Sequence, residues 1–240
     1  MRPSLSKIVL VCMALLVACA VLLSLSQPPV STGRFEFDVR QNFEGIYREK
    51  PVPALWVLRR QDPGQFSNYS VYPLVGPGFL GISHLTSRFD GMGVTLSGKL
   101  LYNGALTVIE ADEGSIQRIN RIVEFPDPAP PRELGEVSLR GEILDLKSYA
   151  GYQEPGSGSW MIAPSSNAIR GGIPPVLVLR EPGGGDRVAL LLNARGESLG
   201  QDALGRVGTP VEVRGKLRGI GGLLTLETKP EAVRRLLPWE

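Results

Sequence analysis

The chain has 240 residues, 29 Gly, 20 Pro and a formal net charge of +2, an excess that Arg2 and Lys7 supply by themselves. That length has room for two domains of roughly 100 residues each, and the charge balance of the remainder excludes the broad positive field that drives nucleic-acid binding. Both cysteines, Cys12 and Cys19, lie in an N-terminal apolar run and there is one histidine, His84, so the rest of the chain holds no disulfide, no thiolate nucleophile and too few ligands for the common zinc geometries.

Ile8 to Leu25 is uncharged and broken only by Ser24, close to the shortest run that spans a bilayer. Arg2 and Lys7 precede it and no charge follows until Arg34. The positive-inside rule then keeps the N-terminus cytoplasmic and exports the bulk, which places the chain as a single-pass protein of a bacterial inner membrane with residues 31–240 extracytoplasmic. Three readings compete: an uncleaved signal anchor, taken first; a lipoprotein signal in which Leu16-Val17-Ala18 precedes a lipidated Cys19; and ordinary cleavage near Ser24 to Gln27. Against lipidation, Ala20 to Leu23 continue the apolar run. Residues 1–30 are expected as anchor and linker.

After the linker one pattern occurs twice. Gly98, Lys99, Leu100, Gly104, Leu106, Glu110 and Arg118 recur at Gly215, Lys216, Leu217, Gly221, Leu223, Glu227 and Arg235, which argues for one unit used twice. Upstream of the first copy, Phe35–Arg40, Ala54–Arg59 and Ser70–Val75 read as strands, and Val94–Leu100 with Leu106–Glu110 as a hairpin. Phe125 to Pro131 is a Pro-rich bridge, stiff and extended. Beyond it, Val137–Lys147 alternates as a strand with Gly141 as a bend, Pro175–Arg180 and Val188–Leu192 are buried strands, Gly200–Val207 has room for a helical turn, and Val211–Leu217 with Leu223–Glu227 closes a second hairpin.

Five strands with a short helix between the third and fourth is the order of an OB barrel. The expected fold is therefore all-β: an N-terminal transmembrane helix followed by two tandem OB-like five-stranded barrels, over 31–124 and 133–240, joined by a linker at 125–132. Helix-like tails are expected at Ile116–Ile119 and at Val233–Leu237. The rival is a single β-sandwich, which would have to pair strands across the proline run.

GEILDLKSYAG (141–151), PGSG (155–158) and GGIPPVLVL (171–179) resemble an uncharacterised family of membrane-anchored bacterial envelope proteins. The resemblance covers mainly the second domain. It implies cysteines after the lysine and shortly before the paired glycines, where this chain carries Ser148 and the cysteine-free run Ser165–Arg170. No metal or redox role follows, and the family supplies no reaction.

The loop Tyr149–Gly172 is the main insertion that distinguishes the second copy from the first. With Tyr149, Tyr152, Trp160, Met161 and Arg170 it is the candidate binding element, since long loops in compact domains are often functional and Tyr and Trp anchor interfaces. The plainer reading is a loop that folds over its barrel and buries its own aromatics. Gly76-Pro77-Gly78-Phe79-Leu80-Gly81 has dinucleotide-loop spacing but lacks the βαβ setting, and reads as a turn. His84 reads as a surface or capping residue. Glu142, Asp145 and Lys147 read as a solvated strand end, with Glu142 and Lys147 on opposite faces. Trp56 and Tyr72 could stack bases, but only Arg59 and Arg60 stand near them, short of a basic groove.

Nothing pairs a nucleophile with a base. The expectation is a non-enzymatic envelope protein without cofactor, metal or nucleic acid, presenting its barrels to a protein partner. The alternative is a small-ligand carrier that uses the 149–172 loop.

Overall fold

The structure, a computed structural model, describes residues 3–26, 33–59, 69–120, 126–153, 156–180 and 185–236. Arg60, Phe125, Pro155, residues 181–184 and Leu237 lie outside the described residues. The chain divides into two compact units, Met1–Val30 and Ser31–Glu240. The first is a helix, α1, Pro3–Ser26. Among the described residues no helix is long and apolar enough to cross a membrane, so of the expected transmembrane segment the structure gives the helix alone.

The second unit is mostly β. Its first barrel uses β2 (Gln41–Arg48), β3 (Ala54–Leu58), β4 (Tyr69–Val75), β5 (Gly93–Asn103) and β6 (Leu106–Ala111), with a short β1 (Arg34–Phe35) added outside β5. The strands run β5-β2-β3-β4-β6, and β6 returns to β5 to close the ring. The β4–β6 pair is parallel and the others are antiparallel. Helix α2 (Ser83–Thr86) and a 3-10 turn (Ser87–Phe89) lie between the third and fourth strands of the ring.

The second barrel repeats this with β8 (Arg132–Asp145), β9 (Pro175–Leu179), β10 (Arg187–Leu192), β11 (Pro210–Ile220) and β12 (Leu223–Glu227). Its order is β12-β10-β9-β8-β11, closed by β11–β12, again with one parallel pair, β10–β12. A 3-10 helix at Gly200–Arg206 occupies the equivalent position. Two closed five-strand barrels result, consistent with the OB order; both remove their sheet edges where the ring closes.

Two glycines show why the units are twins. In both barrels the first strand curls across its neighbour at a glycine. A Cβ on Gly45 would lie 2.5 Å from the Trp56 carbonyl oxygen, and one on Gly141 would lie 2.3 Å from that of Val178. The first strand of barrel one is thus Gln41–Arg48 around Gly45, not the expected Phe35–Arg40. Phe35 instead pairs with Leu101 on the outside of β5. The helix-like tails are corrected too. Gln117–Arg118 forms β7 on β5, and Val233–Arg235 forms β13 on β11. Three- and two-residue stretches satisfy their backbone more readily along a neighbouring strand than in an isolated helical turn.

Each barrel has its own interior. Tyr47, Leu55, Leu74, Val94, Leu96 and Ile109 fill the first; Ile143, Leu177, Leu191, Val211, Val213 and Leu226 fill the second. The opposite faces of the same strands are apolar as well. On β9 and β10, Val176, Val178, Leu190 and Leu192 point away from the barrel interior and join Leu101, Leu106 and Val108 of the first barrel in one core. A strand buried on both faces reads as a continuous apolar run, which is how Val176–Leu179 and Val188–Leu192 read.

Candidate functional site

The junction between the barrels is built by exchange. The β5–β6 turn, Asn103–Leu106, reaches the outer face of β9 and β10, where Leu106 packs with Val176 and Leu190. The β11–β12 turn, Ile220–Leu223, reaches the outer face of β3 and β4, where Ile220 and Leu223 pack on Ala54, Trp56, Tyr69 and Val71. There the Val71 N–H donates to the Gly221 carbonyl at 3.3 Å. The second and third strands and the loops beside them form the ligand face of an OB barrel. Here each such face receives the other barrel's hairpin. Trp56 is 8% exposed and Tyr69 2%, with Tyr69 donating to the Pro126 carbonyl at 2.6 Å. Trp56 and Tyr69 are therefore covered by the hairpin of barrel two, while Tyr72 packs against the interior of its own barrel.

A charged clamp crosses the same junction. Lys147 follows β8 and is fully buried. Its Nζ lies 2.5 Å from Glu110 Oε2 on β6 and donates to the Gly76 and Gly78 carbonyls at 2.9 and 2.7 Å. It also sits 4.0 Å from the Tyr152 ring centroid. Burial pulls the Lys147 ammonium below its ordinary pKa, while the Glu110 carboxylate pulls the other way. Such a charge is tolerable inside only because an opposite charge and two carbonyl acceptors surround it. The glycine loop 76–81 is thus a turn whose carbonyls hold a cation from the other barrel. Its end packs closely as well: the Gly81 N–H donates to the Gly171 carbonyl at 2.8 Å, and a Cβ on Gly171 would lie 2.0 Å from the Phe79 carbonyl oxygen.

The expected solvated strand end is corrected. Asp145 and Lys147 are both fully buried, because the residues after β8 turn into the junction rather than into solvent. Asp145 Oδ1 accepts the Ser148 N–H at 2.8 Å. Burial raises the Asp145 pKa, and its hydrogen bonds with Ser148 oppose the shift. Glu142 stands apart, half-buried. It accepts the Gly158 N–H at 2.6 Å and lies 3.9 Å from Arg180; burial raises its pKa too.

The candidate loop residues are divided by the fold. A π-turn, Ser148–Tyr152, leads to a 3-10 turn, Ser159–Met161, and helix α3, Ile162–Arg170. Tyr149 and Met161 are core residues of the junction. Burial, then the nearby Asp186 carboxylate, push the Tyr149 phenol up to about 12. Tyr152 is half-buried in an aromatic row with Phe35 and Phe79, ring centroids 5.8 Å on either side. Trp160 is 81% exposed. Arg170 is exposed, with Nη1 3.4 Å from Asn167 Oδ1. The five do not converge on one point. His84 is exposed in α2, and among the described residues no cluster of His, Cys, Asp or Glu could hold a metal ion.

Beside the clamp a cleft of about 320 Å³ remains where the β5–β6 turn leaves the β9–β10 face uncovered. Leu106, Leu146, Val176, Val188, Leu190 and Leu224 line it, with Asn103, Tyr149, Asp186 and Arg187 as polar members. The Asn103 amide donates to the Tyr149 carbonyl at 2.9 Å. Sequence reasoning missed Glu110, the glycine carbonyls and this cleft. The available signal was the pair Asp145 and Lys147, two charges set among the apolar residues Ile143, Leu144, Leu146, Tyr149 and Ala150. Comparisons with protein-family models, curated proteins and solved structures returned no match.

Proposed function

We propose that this chain is a non-enzymatic, membrane-anchored envelope protein whose fused pair of OB-like barrels presents a surface to a protein partner. Helix α1 serves as a single-pass signal anchor in a bacterial inner membrane, and residues 31–240 stand on the extracytoplasmic side. The uncharged run Ile8–Leu25 behind Arg2 and Lys7 supports the anchor. The observation that carries the partner reading is Trp160. Both OB ligand faces receive a hairpin from within the chain, which leaves the cleft on β9 and β10 open, while this tryptophan is left 81% exposed at the entrance to α3. A large exposed aromatic on an ordered turn is the kind of anchor that interfaces use.

The test is capture of the full chain from detergent-solubilised membranes. The expected result is a stable partner that Trp160→Ala loses. Equal capture by wild type and Trp160→Ala would remove the site, and recovery of the chain in the soluble fraction would remove the anchor.

A second reading, a small-ligand carrier, is favoured by the cleft at the barrel junction, since concave, mainly apolar sites with a few polar groups are the usual form of a small-molecule pocket.

A further inference from the structure

We infer that the junction cleft binds one aliphatic chain of a single-chain or membrane lipid, with the chain's polar end at Tyr149 and Asp186. This rests on the carrier reading above and names its ligand class. The position is the first argument. The cleft lies on the outer face of β9 and β10, between the long loop after β8 and the β11–β12 turn, which is where an OB barrel receives its ligand. The β5–β6 turn of the first barrel fills part of that face and leaves a half-open cleft of about 320 Å³.

The lining is the second argument. Leu106, Leu146, Val176, Val188, Leu190 and Leu224 offer aliphatic contacts. Among the described lining residues the one aromatic ring is Tyr149 and no residue is placed to stack a base or sugar on both faces, so a flexible hydrocarbon fits where a planar ligand would not. The volume suits one medium-length chain and is too small for a helix or a strand of a partner. The third argument is the polar end. Asp186 and Tyr149 both line the cleft; burial, and after it the Asp186 charge, raise the Tyr149 phenol, so the cleft offers a neutral hydroxyl that can donate to a hydroxyl or carboxyl oxygen. Arg187 stands on the same rim.

The test uses the full chain in phosphatidylcholine nanodiscs. In one arm they contain free dodecanoate bearing a diazirine at its far end; in the other, phosphatidylcholine bearing the same diazirine. After illumination the adducts are mapped by peptide mass spectrometry. Adducts at Leu106, Leu190 or Leu224 are expected, and the arm that yields them identifies a free fatty acid or a bilayer lipid as the source. Ala105→Trp, at the exposed tip of the β5–β6 turn, should reduce cleft adducts roughly tenfold, and Val188→Trp, on the cleft wall, should do the same. Labelling confined to α1, or cleft labelling unchanged in both variants, overturns the proposal. A chain that captures its protein partner yet shows no cleft adduct overturns the lipid site alone; a labelled cleft without a captured partner supports it and counts against the partner reading.

Discussion

The two barrels share strand order, bend glycines and closing hairpin, yet their twin residues do different work. Glu110 and Glu227 occupy the same place in the repeat. Glu110 is buried and meets Lys147 of the other barrel, whereas Glu227 is partly exposed and meets Arg218 of its own hairpin at 2.6 Å. Gly104 and Gly221 both turn the hairpin at positive φ, but a Cβ on Gly104 would meet open space and one on Gly221 would lie 2.2 Å from Val71 Cγ2. A repeat therefore preserves the barrel and frees its surface to diverge; position at the junction, more than residue type, decides what a side chain costs.

The largest difference should come from the glutamates. Glu110→Ala leaves Lys147 buried without its counter-charge and should cost about 3–5 kcal/mol, read as a fall in the denaturation midpoint. Glu227→Ala, on a partly solvated pair, should cost under about 1 kcal/mol. Equal losses would break the contrast between a clamp and a surface pair.

Next come the turn glycines. Gly104→Ala meets only the left-handed backbone penalty, about 1 kcal/mol. Gly221→Ala adds a clash with Val71 and should cost roughly twice as much. Chemical denaturation of both variants decides it, and a larger loss at Gly104 would contradict the packing described.

A smaller effect distinguishes Asp145, whose place in barrel one has no buried carboxylate. Burial raises its folded pKa above the unfolded value, so the native state holds the proton to higher pH than the unfolded chain does. As pH rises from the ordinary carboxylate range towards the raised value, the unfolded chain is deprotonated first and stability falls. Glu142, also raised by burial, contributes the same sign. Asp145→Asn keeps an acceptor for Ser148 and should flatten that part of the stability–pH curve; an unchanged slope would refute Asp145 as its source. The smallest expected change in stability is that of Trp160→Ala, within about 0.5 kcal/mol, since its ring covers little of the core. A cooperative loss of structure in that variant would make Trp160 a packing residue.

The barrels were legible because strand alternation and the repeated hairpin follow backbone rules that act locally. Gly141 sits inside an alternating run and marks its strand as bent; Gly45 makes the same bend, but Phe35-Glu36-Phe37 nearby alternates more cleanly than the residues around it. The junction was harder to read. Val176–Leu179 and Val188–Leu192 declare that both faces are buried without naming what covers the outer one. Lys147 looked like a strand-end charge because its partners lie on β6 and in the glycine loop, 37 or more positions away in the chain. Trp160 was legible as an aromatic in a long loop, but Tyr149 and Met161 in the same loop turned inward, a division that only packing decides.

The reciprocal insertion of the hairpins has a further consequence. When each of two like units places the same element into the same face of the other, the contact has the logic of an isologous two-fold dimer. The chain is then a symmetric pair carried on one polypeptide. Cutting it at the proline bridge would release two halves, each with a bare apolar face and an unmatched hairpin. Co-expressed, the halves should find one another; expressed singly, each should self-associate through the surface its twin normally fills.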